Sequence, residues 1–324
     1  MNAGELLSLP GLSPHRARIE AELRASVAGE DPFLTEVASH LIKAGGHRWR
    51  PVLSVISALA GGAEVSDEVV RGACAVELVH LGSLYHDDVI DEAPTRRTVE
   101  SVNARWGNLM AIVAGDFLLA RASELAASLG TEVAGLLAAT IGRLCEGEVR
   151  EIRTTFQTSR SEEAYFASVA GKTSSLLASS CRIGGLVAGL PRDQVDALTA
   201  YGDAFGTVFQ VVDDIKDLIL TEAELGKPAG HDLHEGVYTL PVIRALAMAE
   251  AGEELRALLG GPIERPDAEK ARTIIRACGA IESAILTGRE WADRAADALR
   301  PLGTNPACDA LAGAGHALLD RLPA

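Results

Sequence analysis

Aromatic residues are scarce in this chain: they make up 4% of its 324 residues, whereas 48% of the residues are hydrophobic. A core drawn mainly from alanine and leucine favours helices, because these side chains lose little conformational freedom on entering one. Sustained two-residue alternation of Val, Ile and Tyr is also lacking, so strands are not expected. The sequence therefore predicts an all-α protein, and its length is sufficient to bury a core.

Basic residues are also few compared with acidic ones. The 30 Lys and Arg residues stand against 45 Asp and Glu residues, which gives a formal net charge of −15. This charge argues against nucleic acid as a partner, because a phosphate backbone is held by clustered Lys and Arg. Small phosphorylated ligands are compatible with it, since a few basic residues, or metal ions bound to carboxylates, can hold them locally.

Cysteine is rare and scattered. The five cysteines form no CxxC pair, and their odd number argues against a disulfide framework or a zinc site. We expect reduced core thiols, as in a cytosolic protein. Residues 1–10 lack the basic start and apolar run of a signal peptide, and no run of about 18 apolar residues is present to span a membrane. The expected location is the cytoplasm, with no transmembrane segment.

Apolar residues recur at helical spacing along most of the chain, and Gly and Pro punctuate the helices. No repeat or linker divides residues 1–324, so a single domain is expected. The predicted helices cover residues 34–60 (with a basic turn at 44–51), 67–91, 101–128, 132–154, 162–190 and 193–220, with loops at 92–98 and 221–236 and shorter helices beyond 240. Helices that are apolar on much of their circumference predict a bundle around a central helix.

Two acidic motifs of the same design follow apolar helices. The first motif is Asp87-Asp88-x-x-Asp91, and the second motif is Asp213-Asp214-x-x-Asp217. Carboxylates four residues apart share a helix face and repel one another, and the helix dipole disfavours anions at a C-terminus. Something cationic should offset that repulsion. One such motif alone could be a solvated helix end, but its repetition far along the chain favours a ligand site.

Carboxylate oxygens in this number suit Mg²⁺, which takes one or two carboxylates and fills its other positions with water and phosphate oxygens. Basic residues lie near the motifs or in the early Gly-Gly turn; they are Arg48, Arg50, Arg96, Arg97, Lys172 and Lys227. Each alone is more often a solvated surface residue, so only the set carries weight. Together these residues predict a magnesium-dependent enzyme that acts on diphosphate esters.

In their order and spacing, the motifs resemble those of the trans-isoprenyl diphosphate synthases (polyprenyl synthetases) over most of the chain. The matching segments are residues 45–51, 77–91 with Arg96-Arg97, 103–108, 115–118, Gly171-Lys172-Thr173, Phe209-Gln210 with the second motif, Gly226-Lys227-Pro228, and Asp232 with Thr239-Leu240-Pro241. The resemblance implies an all-α, single-domain isoprenoid synthase fold in which both motifs face a central cavity. It also implies a homodimer.

The resemblance further implies a reaction in which an allylic diphosphate ionises, and the double bond of isopentenyl diphosphate attacks the resulting cation. Six residues would bind Mg²⁺, about three ions per active site, and they are Asp87, Asp88, Asp91, Asp213, Asp214 and Asp217. The implied catalytic residues are Asp87, Asp88, Asp91, Lys172, Asp213 and Lys227. The implied isopentenyl diphosphate site comprises His47, Arg50, His80 and Arg97. The implied allylic diphosphate site comprises Arg96, Lys172, Thr173, Gln210 and Lys227.

Two positions depart from the resembled family. His47 stands where the family usually carries lysine, and Val237 replaces a second frequent lysine. Because a histidine side chain is largely uncharged at neutral pH, weaker binding of isopentenyl diphosphate is expected. Every matching acidic position is intact, which favours an active enzyme.

Product length is predicted from the residues one turn before the first motif. In the resembled family these residues line the pocket for the growing chain, and bulky aromatics there stop elongation early. Gly82 and Ser83 occupy the positions here, and their small side chains leave room for a product of about C30 or longer. Geranylgeranyl diphosphate is the alternative product if Leu78, Leu81 or Ile112 closes the pocket deeper down.

Three other functions stay open. A terpene cyclase would share the fold and the first motif, but the second motif of such enzymes mixes Asn, Ser or Thr with Glu. A non-catalytic regulatory subunit of a heteromeric synthase would fit the changes at His47 and Val237, although such subunits usually lose an aspartate cluster. A structural helical bundle with acidic ends would show no magnesium-dependent binding of a diphosphate.

Overall fold

Helices make up nearly all of the regular structure in the computed structural model, which describes residues 9, 11–225 and 229–323. The first helices are α1 (Leu12–Ser26), α2 (Pro32–Ala38), α3 (His40–Lys43), α4 (Trp49–Ala60), α5 (Asp67–Ile90), α6 (Val102–Trp106), α7 (Asn108–Ser128), α8 (Thr131–Ile152) and α9 (Glu162–Val169). The others are α10 (Ser175–Val187), α11 (Arg192–Ile219), α12 (Glu222–Leu225), α13 (His231–His234), α14 (Leu240–Ala247), α15 (Ala249–Arg256), α16 (Arg265–Ala277), α17 (Ala280–Ala298) and α18 (Pro306–Leu319). A π-helical turn covers Ala170–Ser174, and a 3₁₀ turn covers Arg300–Leu302. The predicted all-α fold is confirmed.

Helix α5 carries the first motif and is buried on most of its circumference. Its start is capped by Ser66, whose Oγ accepts a hydrogen bond from the amide of Val69 (3.3 Å). Asp67 and Glu68 follow in the first turn, where the helix dipole favours anions. The helix packs against α1, α4, α6 and α7. It therefore has the surroundings predicted for a central helix, and its last turn presents the first motif.

Helix α11 carries the second motif in its last turns. Val211, Ile215 and Leu218 lie in a buried core together with Tyr165 and Tyr238. Their spacing of four and three residues places them on one stripe of the helix, which holds its C-terminal part in the core. None of the helices in the described ranges combines the length and the apolar character needed to cross a lipid bilayer.

Two predicted helices are interrupted. Segment 101–128 is broken at Gly107, whose φ of 86° separates α6 from α7. Segment 162–190 contains the π-helical turn Ala170–Ser174 between α9 and α10. The apolar periodicity of the sequence marked neither break. The predicted loop at 221–236 likewise contains the short helices α12 and α13.

The expectation that no strands form is wrong at one place. Strands β1 (Thr95–Arg96) and β2 (Val99–Glu100) form an antiparallel ladder of two residues each. Arg97 and Thr98 connect them with φ of 53° and 65°, a backbone region that such residues rarely adopt. A hairpin turn of this kind is usually signalled by Asn-Gly or Asp-Gly, and neither dipeptide occurs here.

The described residues divide into two compact units. The first unit comprises residues within 1–142, 176–202 and 298–312, and the second comprises residues within 143–175, 203–297 and 313–324. The first motif belongs to the first unit, and the second motif belongs to the second unit. The single domain over residues 1–324, and a central cavity faced by both motifs, stay predictions.

All five cysteines lie in the described ranges and are free thiols. Cys74, Cys181 and Cys308 are buried, Cys278 is half-buried and Cys145 is exposed. Burial raises the pKa of Cys181 to about 12, which makes this thiol unreactive. The predicted core position is therefore right for three cysteines and wrong for Cys145.

Gly184 determines how closely α10 approaches α4. A Cβ at Gly184 would lie 2.1 Å from the carbonyl oxygen of Ser54. We expect Gly184→Ala to lower the free energy of unfolding by about 1–3 kcal/mol, because one backbone must move away from the other. Gly142, within α8, is the matched control, since a Cβ there would have no neighbour within 4 Å. Urea titrations should find Gly142→Ala unchanged or about 0.5–1 kcal/mol more stable; equal stabilities of the two variants would contradict the close packing.

Candidate active site

The first motif has one buried carboxylate and two that are more accessible. Asp88 is fully buried, Asp87 is half-buried and Asp91 is exposed. Arg96 contacts Asp88 Oδ1 through Nε (2.7 Å) and Nη2 (2.6 Å). Burial raises the pKa of Asp88, and the charge of Arg96 opposes this rise only in part. Arg96 is therefore the cation that the sequence predicted to offset this motif.

The strained turn between β1 and β2 brings Arg97 to the Gly45-Gly46 turn. Left-handed backbone at Arg97 and Thr98 costs of order 1–3 kcal/mol for each residue. Arg97 Nη1 donates a hydrogen bond to the carbonyl oxygen of Gly45. A Cβ at Gly46 would lie 2.8 Å from Arg97 Cζ, so the guanidinium fits here because the residue is glycine. The predicted Gly-Gly turn thus binds the Arg97 guanidinium: Gly45 accepts its hydrogen bond, and Gly46 leaves room for it.

Arg50, His80 and Arg97 form a basic cluster in the first unit. Burial lowers the pKa of Arg50 to about 10, against the opposing charge of Glu77. Burial, followed by the charges of Arg50 and Arg97, holds the pKa of His80 well below its usual value, so His80 is neutral at pH 7. Arg50 Nε is buried and finds no hydrogen-bond partner among the described residues. The arrangement suits an anion, and it unites three of the four predicted isopentenyl diphosphate residues; the fourth, His47, is exposed.

Arg48, one of the basic residues of the Gly-Gly turn, has a structural role. Its guanidinium contacts Glu20 Oε1 (2.6 Å) and Glu77 Oε1 (2.9 Å), and it donates to the carbonyl oxygen of Ile42 (3.1 Å). The side chains of Arg48 and Glu77 are each only 2% exposed. The sequence could not separate Arg48 from Arg50, because Glu20 lies outside the matching segments.

Gly82 packs against helix α7. A Cβ at Gly82 would lie 3.1 Å from the carbonyl oxygen of Gly115 and 3.1 Å from Leu119 Cγ. Gly82 stays a predicted lining residue of the product pocket, and its lack of a side chain also allows the close approach of α5 to α7. Ser83 is half-buried and donates from Oγ to the carbonyl oxygen of His80 (2.9 Å). Ser83 stays a predicted lining residue of the product pocket.

A chain of hydrogen bonds surrounds Asp214 in the second motif. Tyr165 donates from its hydroxyl to Asp214 Oδ2 (2.5 Å), and Gln210 donates from Nε2 to Asp214 Oδ1 (2.8 Å). Thr173 in turn donates to Gln210 Oε1 (2.6 Å). Burial raises the pKa of Asp214 to about 7, because desolvation outweighs both hydrogen bonds to the carboxylate. Thr173 and Gln210, both predicted from the sequence, are thus linked to the second motif through contacts that also include Tyr165.

The C-terminal end of α11 is held by residues that no sequence motif identified. Asp217 Oδ2 accepts a hydrogen bond from the amide of Asp232 (3.1 Å). Arg276 donates to the carbonyl oxygen of Leu218 from Nε (2.9 Å), and the buried Arg272 donates to the same oxygen from Nε (3.1 Å). Both arginines come from α16 and lie at the negative end of the α11 dipole. They are the cations expected to offset the second motif, and their spacing along a helix gives no sign of this role.

Lys172 lies on the π-helical turn and contacts two carboxylates of α8. Its Nζ is 2.7 Å from Glu148 Oε2 and 2.5 Å from Glu151 Oε1. Burial alone would lower the pKa of Lys172, but the two carboxylates outweigh burial and raise it. The side chain is therefore charged at neutral pH. Lys227, the other predicted catalytic lysine, lies outside the described residues.

The donor atoms fit Mg²⁺ bound through accessible carboxylates. Asp91 and Asp213 are exposed, whereas Asp88, Asp214 and Asp217 are buried. Across the part of the chain that the structure describes, no three His, Cys, Asp or Glu side chains converge closely enough to hold a metal by themselves. Mg²⁺ fits such a donor set, because it takes one or two carboxylates and completes its shell with water and substrate phosphate oxygens.

The raised pKa of Asp214 makes the stability of the metal-free protein depend on pH. The folded state keeps this proton up to about pH 7, whereas the unfolded chain releases it near about pH 4. Between these values the folded state binds more protons, so the free energy of unfolding falls as the pH rises. In urea titrations with EDTA, the wild type should lose about 2–3 kcal/mol between pH 5 and pH 8 relative to Asp214→Asn. Parallel pH profiles for the two proteins would contradict the raised pKa.

Comparisons with known proteins identify the family of the chain. The sequence model of the polyprenyl synthetase family matches residues 31–277. The chain is 42% identical over 266 residues to nonaprenyl diphosphate synthase of Mycobacterium tuberculosis, covering 81% of this chain and 78% of that protein. It is 39% identical over 299 residues to heptaprenyl diphosphate synthase component 2 of Geobacillus stearothermophilus, covering 91% of this chain and 92% of that protein.

The fold also matches a solved structure. Polyprenyl synthase from Caulobacter crescentus, complexed with calcium and isoprenyl diphosphate, superposes with a TM-score of 0.92 at 30% identity. The match covers 99% of this chain and 98% of that chain. The family match over most of the sequence and these similarities show that the chain belongs to the polyprenyl synthetase family and is a prenyltransferase.

Proposed function

We propose that the chain is a trans-polyprenyl diphosphate synthase, which joins isopentenyl diphosphate head-to-tail to an allylic diphosphate in the presence of Mg²⁺. The observation that carries this proposal is the pair of intact acidic motifs, each at the end of a helix that basic residues contact. Arg96 contacts Asp88 in the first motif, and Arg272 and Arg276 donate to the carbonyl oxygen of Leu218, just after the second motif. The Caulobacter crescentus enzyme, complexed with calcium and isoprenyl diphosphate, supports a divalent cation and a ligand of this class.

The more accessible aspartates are proposed to bind Mg²⁺ directly; they are Asp87, Asp91 and Asp213. The buried aspartates of the two motifs support them, since their contacts fix the ends of both helices; they are Asp88, Asp214 and Asp217. When bound, Mg²⁺ supplies positive charge that stabilises the departing diphosphate. About three ions per active site are proposed, on the basis of the family resemblance.

Isopentenyl diphosphate is proposed to bind at the basic cluster of Arg50, His80 and Arg97, with His47 beside it. The unpartnered, buried Nε of Arg50 supports an anion here, because a phosphate oxygen would satisfy that donor. A neutral His80 can donate one hydrogen bond without adding charge. The weaker charge of His47, compared with the lysine of the resembled family, is expected to raise the KM for isopentenyl diphosphate.

The allylic diphosphate is proposed to bind through Arg96, Lys172, Thr173 and Gln210, with Lys227 completing the set from outside the described residues. As the carbon–oxygen bond of this substrate breaks, negative charge develops on the diphosphate, and the charges of Arg96 and Lys172 stabilise it. The oxygens of Thr173 and Gln210 are proposed to lie near the allylic carbons, where positive charge develops. The double bond of isopentenyl diphosphate then attacks the allylic carbon, and loss of a proton gives an allylic diphosphate one isoprene unit longer.

A medium or long product, about C30 or longer, is proposed because Gly82 and Ser83 are small at the positions where bulky residues would stop elongation. The relatives from Mycobacterium tuberculosis and Geobacillus stearothermophilus carry the names nonaprenyl and heptaprenyl diphosphate synthase, which supports chains of this length. Geranylgeranyl diphosphate is the alternative product. It would require a bulky residue deeper in the pocket, such as Leu78, Leu81 or Ile112, to close it.

A non-catalytic subunit of a heteromeric synthase is the alternative of another class. The relative from Geobacillus stearothermophilus is named as component 2 of a synthase, and this name is compatible with the alternative. The intact aspartates of both motifs favour a catalytic chain. Turnover by the chain without any second protein separates the two possibilities.

A homodimer in the cytoplasm is proposed as the working form. Helix α7 exposes Leu109 (74%), Ile112 (43%) and Val113 (44%), three apolar residues on one face. A second copy covering this face would remove apolar surface from water, at about 25 cal/mol per Å². Five free cysteines support a reducing compartment such as the cytoplasm.

Asp213→Asn tests the proposed role of the accessible carboxylates. We expect kcat to fall roughly 10²–10³-fold, because the variant loses charge that would help to stabilise the departing diphosphate. The control is Asp193→Asn, an exposed aspartate in the first turn of the same helix. Steady-state assays with isopentenyl diphosphate, an allylic diphosphate and Mg²⁺ measure both variants. Near wild-type turnover by a folded Asp213→Asn protein would count against the proposed metal site.

Ser83→Phe tests the proposed pocket for the growing chain. We expect shorter products at an unchanged rate of the first condensation, because a phenyl ring at this position would block later elongation and leave the acidic motifs intact. Chromatography of the extracted products measures their length. Thr304→Phe, which adds the same ring at an exposed loop position, should leave the length unchanged. Unaltered products from Ser83→Phe would remove this residue from the pocket.

A further inference from the structure

The ammonium group of Lys172 has three N–H donors in a tetrahedral arrangement. Two of them are directed at Glu148 Oε2 and Glu151 Oε1, at 2.7 Å and 2.5 Å from Nζ. Because these contacts fix two directions of the tetrahedron, they also fix the direction of the third N–H. The side chains of Glu148 and Glu151 are only 20% and 19% exposed, so water screens the contacts incompletely.

Two glycines allow the lysine to reach both glutamates. A Cβ at Gly147 would lie 2.5 Å from the amide nitrogen of Lys172, and a Cβ at Gly171 would lie 2.8 Å from Gly147 Cα. The backbone of α8 therefore lies directly against the π-helical turn that carries Lys172. Glu148 and Glu151 are three residues apart, so they share the face of α8 that meets this turn. Single π-helical turns inside helices are frequent at functional sites.

We infer that Glu148 and Glu151 are positioning residues, which aim the remaining N–H of Lys172 at the diphosphate of the allylic substrate. The inference rests on the proposed function, in which Lys172 contacts that diphosphate. Neither glutamate touches the substrate itself. With the N–H already oriented, its hydrogen bond strengthens as negative charge develops on the leaving diphosphate, and no reorganisation is needed at that moment.

Simple charge repulsion predicts a different result from positioning. A carboxylate near a diphosphate repels it, so loss of the carboxylate charge alone would tighten substrate binding and lower KM. Loss of orientation acts on the transition state, and it lowers kcat without raising KM. Measuring kcat and KM separately therefore distinguishes a positioning role from simple charge repulsion. Thermal melts separate both of them from a loss of folding.

The experiment measures the first condensation by the full-length protein with Mg²⁺, comparing wild type with Glu151→Gln. We expect kcat to fall roughly 10–100-fold, with KM for the allylic diphosphate unchanged or lower. In a Lys172→Ala background, Glu151→Gln should change kcat less than about two-fold, because no ammonium is left to orient. Glu148→Gln is a second variant with the same expected behaviour, and it replaces Glu151→Gln if that protein does not fold.

Glu146→Gln is the matched control on the same helix, since Glu146 contacts the exposed Arg150 (3.2 Å) and should leave kcat unchanged. The inference is overturned if folded Glu151→Gln turns over within about two-fold of wild type, or if kcat falls equally in the Lys172→Ala background. Wild-type turnover reports on the proposed function separately. An inactive wild type would reject the proposed function and this inference with it, whereas an active wild type with either overturning result would reject the positioning role alone.

Discussion

Crowded carboxylates at the C-terminal ends of two long helices are the constraint on which the rest of the site depends. Helices α5 and α11 each place three aspartates in their last turns, where neighbouring carboxylates and the helix dipole both oppose negative charge. Each motif buries a central carboxylate against donors: Asp88 contacts Arg96, and Asp214 contacts Tyr165 and Gln210. The buried carboxylates anchor the helix ends, and the accessible ones are those proposed to bind a metal ion.

Two of the cations proposed to bind the substrate diphosphates, Arg97 and Lys172, lie on local structure that is costly to form. Arg97 lies in a hairpin turn with left-handed backbone. Its guanidinium fits beside position 46 because that residue is glycine. Lys172 needs a π-helical turn and backbone contact between Gly147 and Gly171. Strained or unusually close backbone at such positions is stable only when surrounding packing holds it. The same packing that stabilises these turns thus orients the positive charges that a diphosphate requires.

The sequence predicted a large part of this arrangement because its signals are local. The helix predicted over 67–91 is observed as Asp67–Ile90, and the helix predicted over 193–220 is observed as Arg192–Ile219. The residues missed are those whose role depends on contacts distant in the sequence. Arg272 and Arg276 reach the end of α11 from another helix, and Glu20 pairs with Arg48 across 28 residues. The close approach of Gly82 to Gly115 on α7 likewise leaves no trace in a single sequence.

Turnover by the chain alone tests the central claim most directly. The purified protein is incubated with isopentenyl diphosphate, Mg²⁺ and each of several allylic diphosphates, and the products are sized by chromatography. We expect products of about C30 or longer that disappear when EDTA removes the metal. No Mg²⁺-dependent product from any allylic diphosphate would contradict a synthase made of this chain alone, and would favour its role as one subunit of a larger enzyme.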